Sequence, residues 1–113
     1  MSSKGIESEN PQQIKMLLWS TFAGSKGCIN RVKIVLQLKK MPLNTNQLSK
    51  ELRLDYKVIE RHLDILDNNG LVIKVGDRYG TTYFLSTLLE SNLNLFDEVA
   101  DKANNCKENL KIN

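Results

Sequence analysis

Groups that bind metals or form disulfides are scarce in this chain of 113 residues, which has two cysteines and a single histidine. Cys28 and Cys106 stand far apart and form no CxxC pair, which argues against a structural zinc site. Such sparse cysteine use fits a reducing, cytoplasmic setting. His62 alone cannot build a metal site, so its expected role is structural or a phosphate contact. A Ser/His/Asp set is missing, and Gly24-Ser25-Lys26-Gly27 lacks the phosphate-loop pattern. No enzymatic activity and no cofactor are expected. Long apolar runs are missing too. Met16-Leu17-Leu18-Trp19 is far too short to span a bilayer, so no membrane partner is expected. The opening MSSKGIESEN lacks the apolar stretch of a secretion signal and reads as a frayed polar lead.

What is present is one domain's worth of core and an uneven charge. Apolar residues make up 41% of the chain, enough to exclude wholesale disorder. The net charge is +3, but its distribution says more. Between Lys26 and Tyr83 there are 11 basic and 6 acidic residues, whereas from Phe84 onward there are 3 basic and 5 acidic. A basic middle with a slightly acidic tail suits a middle that meets phosphate and a tail with another task.

The spacing predicts a helix from Pro11 to about Phe22, with Ile14, Leu17, Leu18 and Phe22 on one face. A second runs from about Asn30 to Lys40, with Ile34, Val35 and Leu38 inside and Arg31, Lys33, Lys39 and Lys40 as its charges. Pro42 stops it. Asn44 and Gln47 have capping-box spacing ahead of a two-turn helix marked by Leu48 and Leu52. Asp55 caps the next helix, whose buried face is Val58, Ile59, Leu63 and Leu66, and Asn68-Asn69-Gly70 ends it. Leu71–Val75 and Thr81–Leu85 then read as a hairpin around the turn Gly76-Asp77-Arg78-Tyr79-Gly80. Two helices joined by the tight Arg53-Leu54-Asp55 turn, followed at once by a hairpin, give a winged helix-turn-helix. From about Thr87 a single further helix is expected, with an apolar stripe through Leu89, Leu93, Phe96, Val99 or Ala100, Ala103, Cys106 and Leu110. The expected fold is therefore mainly α with a small β-hairpin. It divides into a lead over 1–10, an N-terminal helix over 11–25, a winged unit over 26–86 and a terminal helix over 87–113.

With the apolar face inward, Tyr56, Lys57, Glu60, Arg61 and Asp64 point outward. Lys57 and Arg61 lie one turn apart and reach either guanine edges or flanking phosphates in a major groove. Tyr56 offers a hydroxyl to phosphate or a ring to a thymine methyl. Glu60 accepts from cytosine, braces Arg61, or pairs locally, as does Asp64. Lys50 and Arg53 end the short helix near the DNA backbone, with Lys39 and Lys40 in support. Arg78, flanked by Lys74 and Tyr79, is the wing's candidate for a minor-groove or backbone contact. Tyr83 and Phe84 are adjacent in a strand, so one faces the core and the other the surface. Trp19 and Phe22 serve the core or an interface. Leu17, Leu18, Leu89, Leu93, Phe96, Ala100 and Ala103 are the candidate homodimer contacts. The expected function is sequence-specific binding of double-stranded DNA, with repression favoured over activation. The alternative is a winged-helix protein-protein interaction module in a transcription or chromosome-maintenance complex.

The segments NRVKIVLQLKKMPLNTNQLSKEL, LDYKVIERHLDILDNNGLV and GDRYGTTYFLS resemble archaeal winged-helix transcriptional regulators related to the arsenic-repressor-like superfamily. The resemblance covers about Gly27 to Ser86. It implies that the helix carrying Arg61-His62-Leu63 is the recognition helix, with Lys57, Glu60, Arg61 and His62 at or near DNA and Arg78 at the wing tip. It also implies a homodimer joined through terminal helices. The cysteine pairs and histidine–carboxylate clusters of metal-sensing members are missing here, so metal sensing is not carried over.

Overall fold

The structure, a computed structural model, describes residues 10–24, 27–77 and 80–112, with side chains followed as far as Ala103 and Asp77's left out. Its elements are α1 (Pro11–Phe22), α2 (Cys28–Lys40), β1 (Leu43–Asn44), α3 (Thr45–Leu52), α4 (Tyr56–Asn68), β2 (Val72–Asp77), β3 (Gly80–Leu85), α5 (Thr87–Glu90) and α6 (Leu93–Ile112).

Short polar side chains set the helix starts, each accepting from a first-turn amide that has no partner within the helix. Asn10 Oδ1 accepts from the Gln12 amide at 2.8 Å, and Asp55 Oδ2 from the Lys57 amide at 3.0 Å. At α3 the capping box is complete. Asn44 Oδ1 accepts from the Gln47 amide at 2.7 Å, while Gln47 Oε1 accepts from the Asn44 amide at 2.9 Å. A helix of two turns needs this help.

The sheet has one strand more than the sequence pattern showed. β1 pairs antiparallel with β3, Leu43 opposite Tyr83, and the strand order is β1-β3-β2. Two residues after a proline carry too little periodicity to announce a strand. The hairpin strands also run further toward the tip than expected, to Asp77 and from Gly80. Gly76 explains how. Its φ is +136°, and a Cβ there would collide with the Gly80 carbonyl oxygen, so only glycine lets the strands close.

The C-terminal stretch is two helices rather than one. Ser86 Oγ caps α5 by accepting from the Leu89 amide, α5 ends at Glu90, and the Asn92 carbonyl restarts the chain as α6 by accepting from the Phe96 amide. This break lets Leu89 and Phe96 both enter the core, where neither retains exposed surface. Around them pack Leu18 and Phe22 of α1, Ile34 and Val35 of α2, Leu48 of α3, and Ile59, Leu63 and Leu66 of α4. The Phe22 and Phe96 rings meet edge to face, with centroids 4.9 Å apart.

That packing changes the reading of the terminal helices. Leu18, Leu89, Phe96 and Ala103 are buried within one copy of the chain, against the expectation that they meet a partner. Leu17, Leu93 and Ala100 are half-buried at the edge of the same core. The apolar side chains that α1 leaves in solvent are Met16, 67% exposed, and Trp19, 43% exposed.

Candidate nucleic-acid interface

α4 is two-sided. Ile59, Leu63 and Leu66 are fully buried and Val58 is half-buried, while Tyr56, Lys57, Glu60, Arg61 and Asp64 lie exposed along the opposite ridge. Among the described residues, no ion pair engages Lys57, Glu60, Arg61 or Asp64. The local pairing considered for the two acids is therefore not formed among the described residues, and two cations and a tyrosine share the ridge with two carboxylates.

The turn into α4 is unusual. Arg53 closes α3 with φ 57° and ψ 44°, the single non-glycine residue of positive φ among those described. Ser49 holds the turn from both sides. Its carbonyl accepts from the Arg53 and Leu54 amides, and its hydroxyl donates to the Leu54 carbonyl at 2.6 Å. A left-handed conformation costs a Cβ-bearing residue about 1–2 kcal/mol, which glycine escapes. Keeping an exposed arginine there points to a use for its charge. We expect Arg53→Gly to melt at the wild-type temperature or higher yet bind duplex DNA more weakly, read by calorimetry and anisotropy. Loss of stability with unchanged affinity would contradict this use.

The other candidate cations divide. Lys50 is exposed on α3 beside the turn. Lys74 is exposed on β2 and reaches Asp67 at 4.0 Å, which ties the wing to the end of α4. Lys39 pairs with Asp97 of α6 at 3.7 Å, so it serves the contact between α2 and the terminal helix. Arg78 and Tyr79 fall outside the described residues. Tyr83 is the inward member of its pair and Phe84 the outward one. A hydrogen bond joins Tyr83 to Thr45, and burial together with nearby Asp64 and Asp67 pushes its phenol above the ordinary range, so it stays neutral. Phe84 stands opposite Ile73, and both are exposed on the outer side of the hairpin.

Two residues that look like surface charges in the sequence prove internal. Arg31 is only 4% exposed. Its Nε donates to the Thr21 carbonyl at 2.8 Å, and its Nη1 lies 3.1 Å from His62 Nδ1. His62 is 5% exposed, which removes it from phosphate. Burial first, then the charges of Arg31 and Arg61, hold its pKa below the ordinary value of 6.5. A helical-wheel reading places Arg31 by its charge. A buried guanidinium needs a specific set of acceptors, and no local pattern reveals those.

Comparison with known proteins agrees with this geometry. The family described as "Bacterial regulatory protein, arsR family" matches residues 29–74, from the start of α2 into β2. No curated protein matches in sequence. Among solved structures, HlyU from Vibrio cholerae is 22% identical with a TM-score of 0.60, covering 80% of this chain and 89% of that one. A MarR transcriptional regulator from Methanosarcina mazei is 18% identical with a TM-score of 0.62, covering 85% of this chain and 69% of its own. A mutant MarR from E. coli complexed with operator DNA is 21% identical with a TM-score of 0.52, covering 89% and 85%. The chain has the winged helix-turn-helix fold, and its segment 29–74 is similar to the arsR family. Among the described residues no helix is long and apolar enough to cross a membrane, and no group of acids, cysteines or histidine is placed to hold a metal ion.

Proposed function

We propose that the chain is a transcriptional regulator that binds duplex DNA as a homodimer, laying α4 in the major groove. The observation that carries this is the exposed ridge of Tyr56, Lys57 and Arg61 on a helix whose other face is locked in the core. Lys50 and Arg53 flank it at the end of α3, in position for the sugar-phosphate backbone. The similar E. coli MarR, bound to operator DNA, supports the same use of the fold. Lys74 and the wing tip with Arg78 would hold the adjacent backbone or minor groove. Selection of bound sequences from a random duplex library tests the reading, which expects enrichment of a palindromic or near-palindromic site. An unenriched library would favour the alternative of a protein-docking module, which the two carboxylates on the ridge keep in view.

Dimerisation is needed to align two α4 helices with half-sites about 34–36 Å apart. The terminal helices offer the surface, with Met16 and Trp19 of α1 exposed beside half-buried Leu17, Leu93 and Ala100. Met16→Glu is expected to give a folded monomer by analytical ultracentrifugation. A wild-type chain that sediments as a monomer at every concentration would end the dimer proposal.

A further inference from the structure

Arg31 bridges two parts of the molecule that the function must keep aligned. On one side is Thr21, whose carbonyl belongs to the last turn of α1, where helical carbonyls lack partners and a nearby cation is favoured. On the other is His62, in the middle of α4 on the side away from the exposed ridge. Guanidinium has donors and no acceptor, so its contact with Nδ1 requires the imidazole lone pair. The bond therefore exists only while His62 is neutral, with its proton on Nε2. Gly27 closes the far side of the ring. Its φ is +80°, and a Cβ there would stand 3.0 Å from His62 Cε1, so Gly27 lies directly on the imidazole.

We propose that Arg31 is a positioning residue for DNA binding, which holds the recognition helix α4 against α1 through neutral His62 and releases it when His62 is protonated. The proposal rests on α4 being the DNA-reading helix. Among the described residues, the charges bearing on His62 are Arg31 from α2 and Arg61 from its own helix, both cationic. The Cys28 thiol at the start of α2 lies near enough to Arg31 to act on its charge. A proton arriving from solvent on Nδ1 would occupy the lone pair that Arg31 uses and face two like charges. The folded-state pKa of His62 is depressed, so the neutral, bonded form contributes stability above the unfolded value of 6.5. That contribution is lost as the pH falls from 6.5 through the folded value.

The test compares wild type, His62→Asn, which keeps an acceptor near Nδ1 but does not titrate, and Arg31→Met, which keeps bulk but donates nothing. Amide hydrogen exchange of α4 in the free protein is read as protection factors near pH 7.5 and at the lowest pH at which wild type stays folded, alongside duplex affinity. Wild type is expected to lose protection and about tenfold in affinity at the lower pH, the size expected for a charged hydrogen bond. His62→Asn should hold both nearly constant, and Arg31→Met should resemble acidified wild type at both pH values. Equal protection in all three proteins at both pH values would overturn the relay. Protection that follows the expected pattern while no duplex binds would keep Arg31 as the clamp and remove the DNA reading instead.

Discussion

Replacing Lys57 and Arg61 together by alanine is expected to weaken duplex binding about a hundredfold at moderate salt, while the protein melts as wild type does. In the proposed docking each side chain would contact a base edge or a phosphate, and losing one such contact costs about 1–3 kcal/mol, or roughly tenfold and upward. Neither takes part in packing, and exposed substitutions of this kind move stability by about 0.5 kcal/mol or less. The two single variants distinguish the kinds of contact. A residue on phosphate should weaken all sequences alike, whereas one on a guanine edge should relax specificity at a single position. Binding unchanged in the double variant would mean that the exposed ridge of α4 does not meet DNA.

Phe96→Ala is expected to cost about 3–5 kcal/mol of folding stability, a large share of the roughly 5–15 kcal/mol that holds a domain together. Its ring retains no exposed surface and stands edge to face with Phe22, so truncation removes buried area and an aromatic pair and leaves a cavity. Denaturant unfolding measures the loss. The Met16→Glu background separates core from interface, because a loss of the same size in the monomer places Phe96 in the chain's own core. A loss that vanishes in the monomer would return Phe96 to the dimer contact.

The ridge and the core of the winged unit were legible in the sequence because both follow helical periodicity. Ile59, Leu63 and Leu66 recur at the spacing that turns Lys57 and Arg61 outward, and the structure shows that division. The capping box at Asn44 and Gln47 was equally readable, since it depends on two side chains three positions apart. The polar interior was not. Arg31 and His62 stand 31 positions apart, and only the tertiary approach of α2 to α4 brings them together. The β1 strand was hidden for a similar reason, as its partners Thr82 and Tyr83 are remote in the chain. For the terminal helices, the apolar stripe was visible but its destination was not. A stripe reports that a face is covered, and packing alone decides whether the cover is α1 of the same chain or a second copy.

The turn between α3 and α4 sets where α4 begins, and at Arg53 a charged side chain occupies the conformation that glycine would take at less cost. In the proposed docking this strain belongs with the site rather than the scaffold. With Lys50, Arg53 lies exposed next to the ridge, and the Arg31–His62 contact sits on the buried side of the same helix. In the proposed docking, contact and support would come from opposite faces of α4.

The most direct measurement is fluorescence anisotropy of a library-selected duplex titrated with wild type and the Lys57→Ala/Arg61→Ala variant across a range of salt concentrations. Wild-type affinity should fall steeply as salt rises, and the variant's log–log slope should be shallower by about one for each phosphate contact removed. Failure of any duplex to bind above background at low salt, or identical slopes for both proteins, would contradict a cationic ridge that meets the DNA.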